Sequence, residues 1–165
     1  MVYDDFLAGK RAMDTCNFLA FQLGRGIELR TSMWKFDVLR CAKLNEMAVD
    51  DAVEADVIIV ANGRDSGLPR EVCAWLDAWV PRKRGRTAAL LALLDFTGND
   101  EEAPAEALSV LKRAAAGAEI DFLPQEIRPA DDSAVAAESS FGSETPRRDN
   151  IEANRPSPEG WGLND

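Results

Sequence analysis

A chain of 165 residues with 46% hydrophobic content is long enough for one buried core and too short for two comfortable ones. Its net charge of −10 and pI near 4.6 set it against nucleic-acid phosphates and anionic membrane surfaces as partners. Histidine is absent, which excludes Ser-His-Asp and Cys-His catalysis and any site that uses imidazole as metal ligand or proton shuttle.

Met1-Val2-Tyr3 is an apolar start to a strand that runs directly into Asp4-Asp5. It is short for a central strand, which implies a start internal to a longer sequence with a few apolar residues upstream. From Ala8, the residues Ala12, Cys16, Leu19 and Leu23 recur at the spacing of one buried helical face, and Gly24 and Gly26 end it. Ile27, Leu29 and Thr31 alternate with Glu28 and Arg30, a period of two that predicts a half-buried edge strand. A second helix is expected from about Asp37 to Ala55, with Leu44, Met47, Ala48 and Ala52 on its inner face.

Asp56 is followed by Val57-Ile58-Ile59-Val60-Ala61, a wholly apolar β-branched run of the kind covered on both faces of a parallel sheet. After the loop Asn62 to Gly67, Pro69 stands at a plausible first helical turn, and Val72, Leu76, Trp79 and Val80 form a buried stripe with Trp75 beside it. Trp75 and Trp79, at i and i+4, read as core. Arg82-Lys83-Arg84, with Arg86, is the one basic cluster, and its position predicts a solvated helix C-terminus whose dipole the cations offset. Thr87 to Leu94 is a second apolar run that breaks at Asp95 to Asn99; its alanine and leucine content also suits a helix, and its position between two helices predicts a buried strand. A helix begins at Pro104, carries Ala107, Leu108, Leu111 and Ala115, and ends at Gly117. Glu119 to Leu123 is a final short strand.

The order is β-α-β-α-β-α-β-α-β, each helix filling a crossover between parallel strands. The expected fold is therefore α/β and doubly wound, a five-stranded, mostly parallel sheet in the order 2-1-3-4-5 over residues 1–124. Residues 125–165 contain four prolines and only six large apolar residues, too few for a second core, which predicts an acidic, disordered tail with at most a short helix from Asp131 to Glu138. Cys16, Cys41 and Cys73 show no CxxC spacing, and no signal peptide or long apolar span precedes them, so a reducing, cytoplasmic setting is expected. Cys16 and Cys73 fall on apolar helical faces and read as small core residues.

In an open parallel sheet ligands sit at the carboxyl ends of the strands. Here those ends carry Asp4 and Asp5, then Asn62, Gly63, Arg64, Asp65 and Ser66, then Asp95 and Thr97, then Gln125. Paired carboxylates after the first strand suit weak Mg²⁺ binding, since that cation takes oxygen ligands and keeps several waters. The competing reading is that one aspartate caps the first helix while the other is solvated, and from the dipeptide alone the cap has the better claim.

Tyr3-Asp4-Asp5, Asp56 to Ala61, Thr97 and the stretch Ala114 to Pro124 together resemble a bacterial response-regulator receiver domain over most of the first 125 residues. The resemblance implies a metal-binding acidic pair at Asp4 and Asp5 and a role in signalling. Where that family carries its phosphate-accepting aspartate this chain has Ala61, or Asn62 if the register slips, and neither forms an acyl phosphate. The family's lysine after the fifth strand matches Gln125 and its proline matches Glu126, and the segment between strands two and three is longer than a typical receiver's. These departures imply a noncatalytic regulatory or protein-interaction module with no catalytic residue, or a receiver phosphorylated on an unorthodox carboxylate such as Asp65 or Asp95.

Ala55 to Val60, the glycine-containing loop and Leu76 to Trp79 also resemble the middle of flavodoxin-like FMN proteins, with Trp34 as an aromatic for the flavin ring. The first loop opposes that alternative, because Asp4 and Asp5 would repel the flavin phosphate and Gly9-Lys10 alone is not a phosphate loop. The expected partner is a protein rather than a nucleic acid or a membrane.

Overall fold

The apolar run after Asp56 forms the middle of the sheet, and everything else is arranged around it. The computed structural model of the chain describes residues 1–24 and 29–128. In chain order they form β1 (Val2–Tyr3), α1 (Phe6–Leu23), β2 (Trp34–Lys35), a 3₁₀ turn (Phe36–Arg40), α2 (Ala42–Glu54), β3 (Val57–Ala61), α3 (Arg70–Lys83), β4 (Ala89–Asp95), α4 (Glu102–Ala118) and β5 (Asp121–Ile127). The five strands are all parallel in the order β2-β1-β3-β4-β5, the expected doubly wound topology. Of the tail expected to be disordered from residue 125, Gln125 to Ile127 are strand, and the part beyond Arg128, with the helix expected at Asp131 to Glu138, lies outside the described residues.

Alternation along the two central strands divides the core. Ile58, Val60, Leu90, Ala92 and Leu94 face α2, α3 and α4, where Trp75 and Trp79 are fully buried with ring centroids 5.7 Å apart. Ile59, Ala61, Leu91 and Leu93 face the other way, against Ala8 and Ala12 of α1. Among the described residues α1 is the only helix on that face, and it packs on β1, β3 and β4.

Several sequence expectations are corrected in detail. The edge strand is Trp34–Lys35, not Leu29 to Thr31, and Ile27 lies outside the described residues. A strand pairs only along the length of its neighbour, and β1 offers two residues, Val2 opposite Trp34 and Tyr3 opposite Lys35. The second helix is broken: Cys41 is extended, so that the 3₁₀ turn buries Phe36 and Leu39 before α2 starts, and Asn45 Nδ2 donates to the freed Leu39 carbonyl at 3.1 Å. Within α2 it is Ala48, Val49 and Ala52 that face inward, and Met47 is exposed.

The fourth helix continues past Gly117 to Ala118. The glycine is there for space, since a Cβ on it would lie 3.1 Å from Val80 Cγ1 on α3. The last strand extends to Ile127 because its far half pairs with Leu93, Leu94 and Asp95 of β4, which places Pro124 and Gln125 inside the strand. Pro124 is tolerated there because β5 is an edge strand.

The basic cluster is also less solvated than expected. Lys83 is 1% exposed, and its ammonium donates to the carbonyls of Ala52 (2.8 Å), Val53 (3.1 Å) and Ala55, the frayed end of α2. Arg86 donates to the Val53 carbonyl as well, and Arg84 reaches the Gly117 carbonyl at the end of α4. The cations thus cap the C-termini of two neighbouring helices. Cys16 and Cys73 are half-buried and Cys41 is exposed; burial pushes the Cys73 thiol upward.

Candidate functional site

The strand order reverses between β1 and β3, and the loops leaving their carboxyl ends must diverge there. Asp4 follows β1 and is tied to β3 by its N–H, which donates to the Ala61 carbonyl at 3.0 Å. Asp5 is the N-cap of α1, its Oδ1 accepting from the Ala8 N–H at 2.7 Å. The cap reading therefore holds for Asp5, and it uses one of the two carboxylate oxygens. The other points at the loop after β3: a Cβ placed on Gly63 would lie 2.9 Å from Asp5 Oδ2 and 2.6 Å from Asp4 Oδ2. Only glycine leaves room for both carboxylates at this position, which is how the sequence brings Asp4, Asp5 and the Asn62 loop together.

Asn62 occupies the end of β3 and is completely buried. Its N–H donates to the Leu93 carbonyl at 2.9 Å, its Nδ2 donates to the Ser66 carbonyl, and its Oδ1 has no protein partner. The side chain folds back on its own loop and holds Ser66 close, so it is a loop brace. Asp65 has a left-handed backbone, φ +56°, and its Oδ1 accepts from the Asp100 N–H at 2.9 Å, joining this loop to the one after β4. Gly98 makes that junction possible, since a Cβ on it would fall 1.8 Å from Asp65 Oδ1.

At the end of β4, Asp95 is buried and multiply bonded. Its Oδ1 accepts from both the N–H (3.0 Å) and the hydroxyl of Thr97, and its Oδ2 accepts from Arg11 Nη1 at 2.6 Å. Burial works to raise this carboxyl, and the bonds from Thr97 and Arg11 outweigh it and hold Asp95 below the ordinary carboxylate range. Arg64 Nε donates to the Thr97 hydroxyl at 3.0 Å, so two guanidinium groups flank the Asp95–Thr97 pair.

Arg11 is the site residue that sequence reasoning missed. It projects from α1, donates through Nη2 to the Asn62 carbonyl, and bridges the ends of β3 and β4. Its signal was a basic residue on the first helix one turn beyond the N-cap loop, and nothing in the sequence connected it to Asp95, 84 residues away. Gln125 lies apart from the acidic pair, within β5 opposite Leu93 rather than after the strand. It lines a small cavity of about 150 Å³ with Arg11, Asp14, Thr15, Leu93 and Ile127. The residue that follows β5 is Arg128, whose guanidinium stacks 4.6 Å above the Phe96 ring. Trp34, considered for a flavin ring, is level with Val2 and donates its indole N–H to Asp51 of α2 at 3.0 Å, which commits it to the α2 side.

The crevice thus has two separate halves. On one, the Asp4 and Asp5 carboxylates converge over Gly63; on the other, Asp95 is neutralised by Arg11. Among the described residues no group of three or more cysteines, histidines or carboxylates is placed to hold a metal ion, and no helix is long and apolar enough to cross a membrane. No protein-family model, curated protein or solved structure matches the chain. The fold is flavodoxin-like in its architecture, and that architecture hosts many functions.

Proposed function

We propose that this chain is a noncatalytic, receiver-like regulatory module of the cytoplasm that acts by contact with a protein partner. The observation that carries this reading is the end of β3. The fully buried Ala61 and Asn62 stand where a phosphate-accepting carboxylate would have to project, and Asn62 is turned into its own loop. Asp95, a carboxylate that could substitute, is already committed to Arg11 and Thr97. Asp65 points away to Asp100. A nucleophile must be free and within attack distance, and neither Asp95 nor Asp65 meets both conditions.

The convergent Asp4 and Asp5 oxygens favour weak, non-catalytic Mg²⁺ binding, with water completing the octahedron and a dissociation constant in the millimolar range. Incubating the full chain with Mg²⁺ and acetyl phosphate tests the module reading: intact mass should stay unchanged. A labile gain of one phosphoryl group, lost on Asp65→Asn or Asp95→Asn, overturns it. Metal titration followed by amide NMR should give saturable shifts at Asp4, Asp5 and Gly63 that vanish in the Asp4→Asn/Asp5→Asn double variant.

A further inference from the structure

Among the described residues a single helix, α1, covers one face of the sheet, and it turns aromatic side chains to solvent. Phe6 is 80% exposed, Leu7 64%, Phe18 59% and Phe21 82%. Leu7, Lys10, Asp14, Phe18 and Phe21 follow one another at steps of three and four residues, so they form a single outward stripe along the whole of α1. Beside it, β5 leaves Leu123 half exposed. A helix whose outward stripe is apolar at both ends has an unburied interface rather than a solvated face.

We infer that this stripe is a two-fold interface and that its occupant is α1 of a second copy of this chain, packed antiparallel. The charge pattern selects the occupant. The stripe is apolar, then basic at Lys10, then acidic at Asp14, then apolar again. An antiparallel copy sets Leu7 against Phe18 of the other chain and Lys10 against its Asp14, twice over by symmetry. A parallel copy would set Lys10 on Lys10. Self-complementarity of this kind is what an isologous contact requires.

The area also fits. With aromatic side chains of roughly 150–250 Å² each, Leu7, Phe18 and Phe21 of the stripe, together with Phe6 flanking it, expose on the order of 500 Å² of apolar surface. A standard interface uses about 800 Å² per partner, a little over half of it apolar. Although the chain carries −10 overall, Arg11 is paired with Asp95 and the stripe's own Lys10 and Asp14 cancel, so the contact does not concentrate the repulsion. Pro124 and the charged Asp121 and Glu126 make the β5 edge a poor alternative for strand addition. The inference goes beyond the crevice and holds whether or not a ligand enters it.

Sedimentation velocity of the full chain, from micromolar to near-millimolar concentration, reads the result. The weight-average mass should climb from 18.1 kDa toward a dimer. Phe18→Glu, at the position that faces Leu7 of the other copy, should weaken association by about tenfold or more. Met47→Glu, on the exposed face of α2, should leave it unchanged. Lys10→Asp and Asp14→Lys should each weaken the dimer, and the double variant Lys10→Asp/Asp14→Lys should restore it. The charge variants decide the matter should a phenylalanine variant fail to fold, since circular dichroism will show both exposed charges to be dispensable for folding. A chain that stays monomeric throughout, or whose dimer is indifferent to Phe18→Glu and to the charge swap, overturns the inference. So does a monomer whose melting point falls on Phe18→Glu, because the stripe would then be covered from within the chain.

Discussion

Asp95 illustrates how a single residue sets the character of the crevice. It is 6% exposed and accepts three hydrogen bonds, one of them from a guanidinium. Replacing it by asparagine removes the charge-assisted bond and leaves the Arg11 charge uncompensated, with only the Asn62 carbonyl as acceptor, which should lower stability by roughly 2–3 kcal/mol. The pH dependence has a definite sign. Because the folded carboxyl titrates below its unfolded value of about 3.9, its contribution is fully present above that value and is lost as pH falls through the folded pKa. Thermal melts of wild type and Asp95→Asn from about pH 7 to about pH 2 should therefore converge at the acid end. A gap that persists unchanged to the lowest pH would show that Asp95 is not an ion-pair partner in the folded state.

At the scale of the element, the helices are held less by their own termini than by side chains sent from neighbours. Lys83 of α3 closes the carboxyl end of α2 through three carbonyls. Lys83→Met keeps the aliphatic volume and takes the Lys83 donor from the Ala52 and Ala55 carbonyls, Val53 keeping Arg86, so chemical denaturation should show a loss of about 2–3 kcal/mol. Arg82→Met, which breaks only the exposed pair with Asp50, should change stability by less than about 1 kcal/mol. Equal losses in the two variants would refute the capping role. The end of α4 is the opposite case. Glu119 adopts the left-handed conformation, φ +57° and ψ 43°, that places its N–H on the Ala115 and Ala116 carbonyls. Glycine takes that conformation without a Cβ penalty, so Glu119→Gly should raise stability by about 0.5–1 kcal/mol even after the exposed contact with Arg84 is lost.

For the whole molecule, protection should follow the layering. β3 and β4 are paired on both edges and buried from Ile58 to Ala61 and from Leu90 to Asp95, whereas β2 is two residues long and β5 is an exposed edge. Hydrogen exchange should therefore find the amides of Ile58–Ala61 and Leu90–Leu94 opening only with global unfolding, and those of Trp34–Lys35 opening earlier. Uniform protection across all five strands would mean that the edges are covered in solution. The fully buried Trp75 and Trp79 sit on the three-helix side, so indole fluorescence reports the loss of that layer.

The order of elements was decided by the sequence itself. The β-branched run at Val57–Ala61 reads as a strand covered on both faces, the Ala- and Leu-rich run at Ala89–Leu94 is made a strand by its place between two helices, and each is followed by a helix with a clear inner stripe. Parallel connections through helices then leave few topologies, and 2-1-3-4-5 is the one observed. Asp4, Asp5 and the Asn62 loop were legible as a group because strand ends in such a sheet must converge. Tertiary structure alone decided the rest. The length of β2 depends on its neighbour, not on the alternation at Ile27 to Thr31. Whether Lys83 is solvated depends on where α2 ends. The state of Asp95 depends on Arg11, because an ion pair is set by distance in space, and a separation of 84 residues along the chain carries no local signal of a 2.6 Å contact.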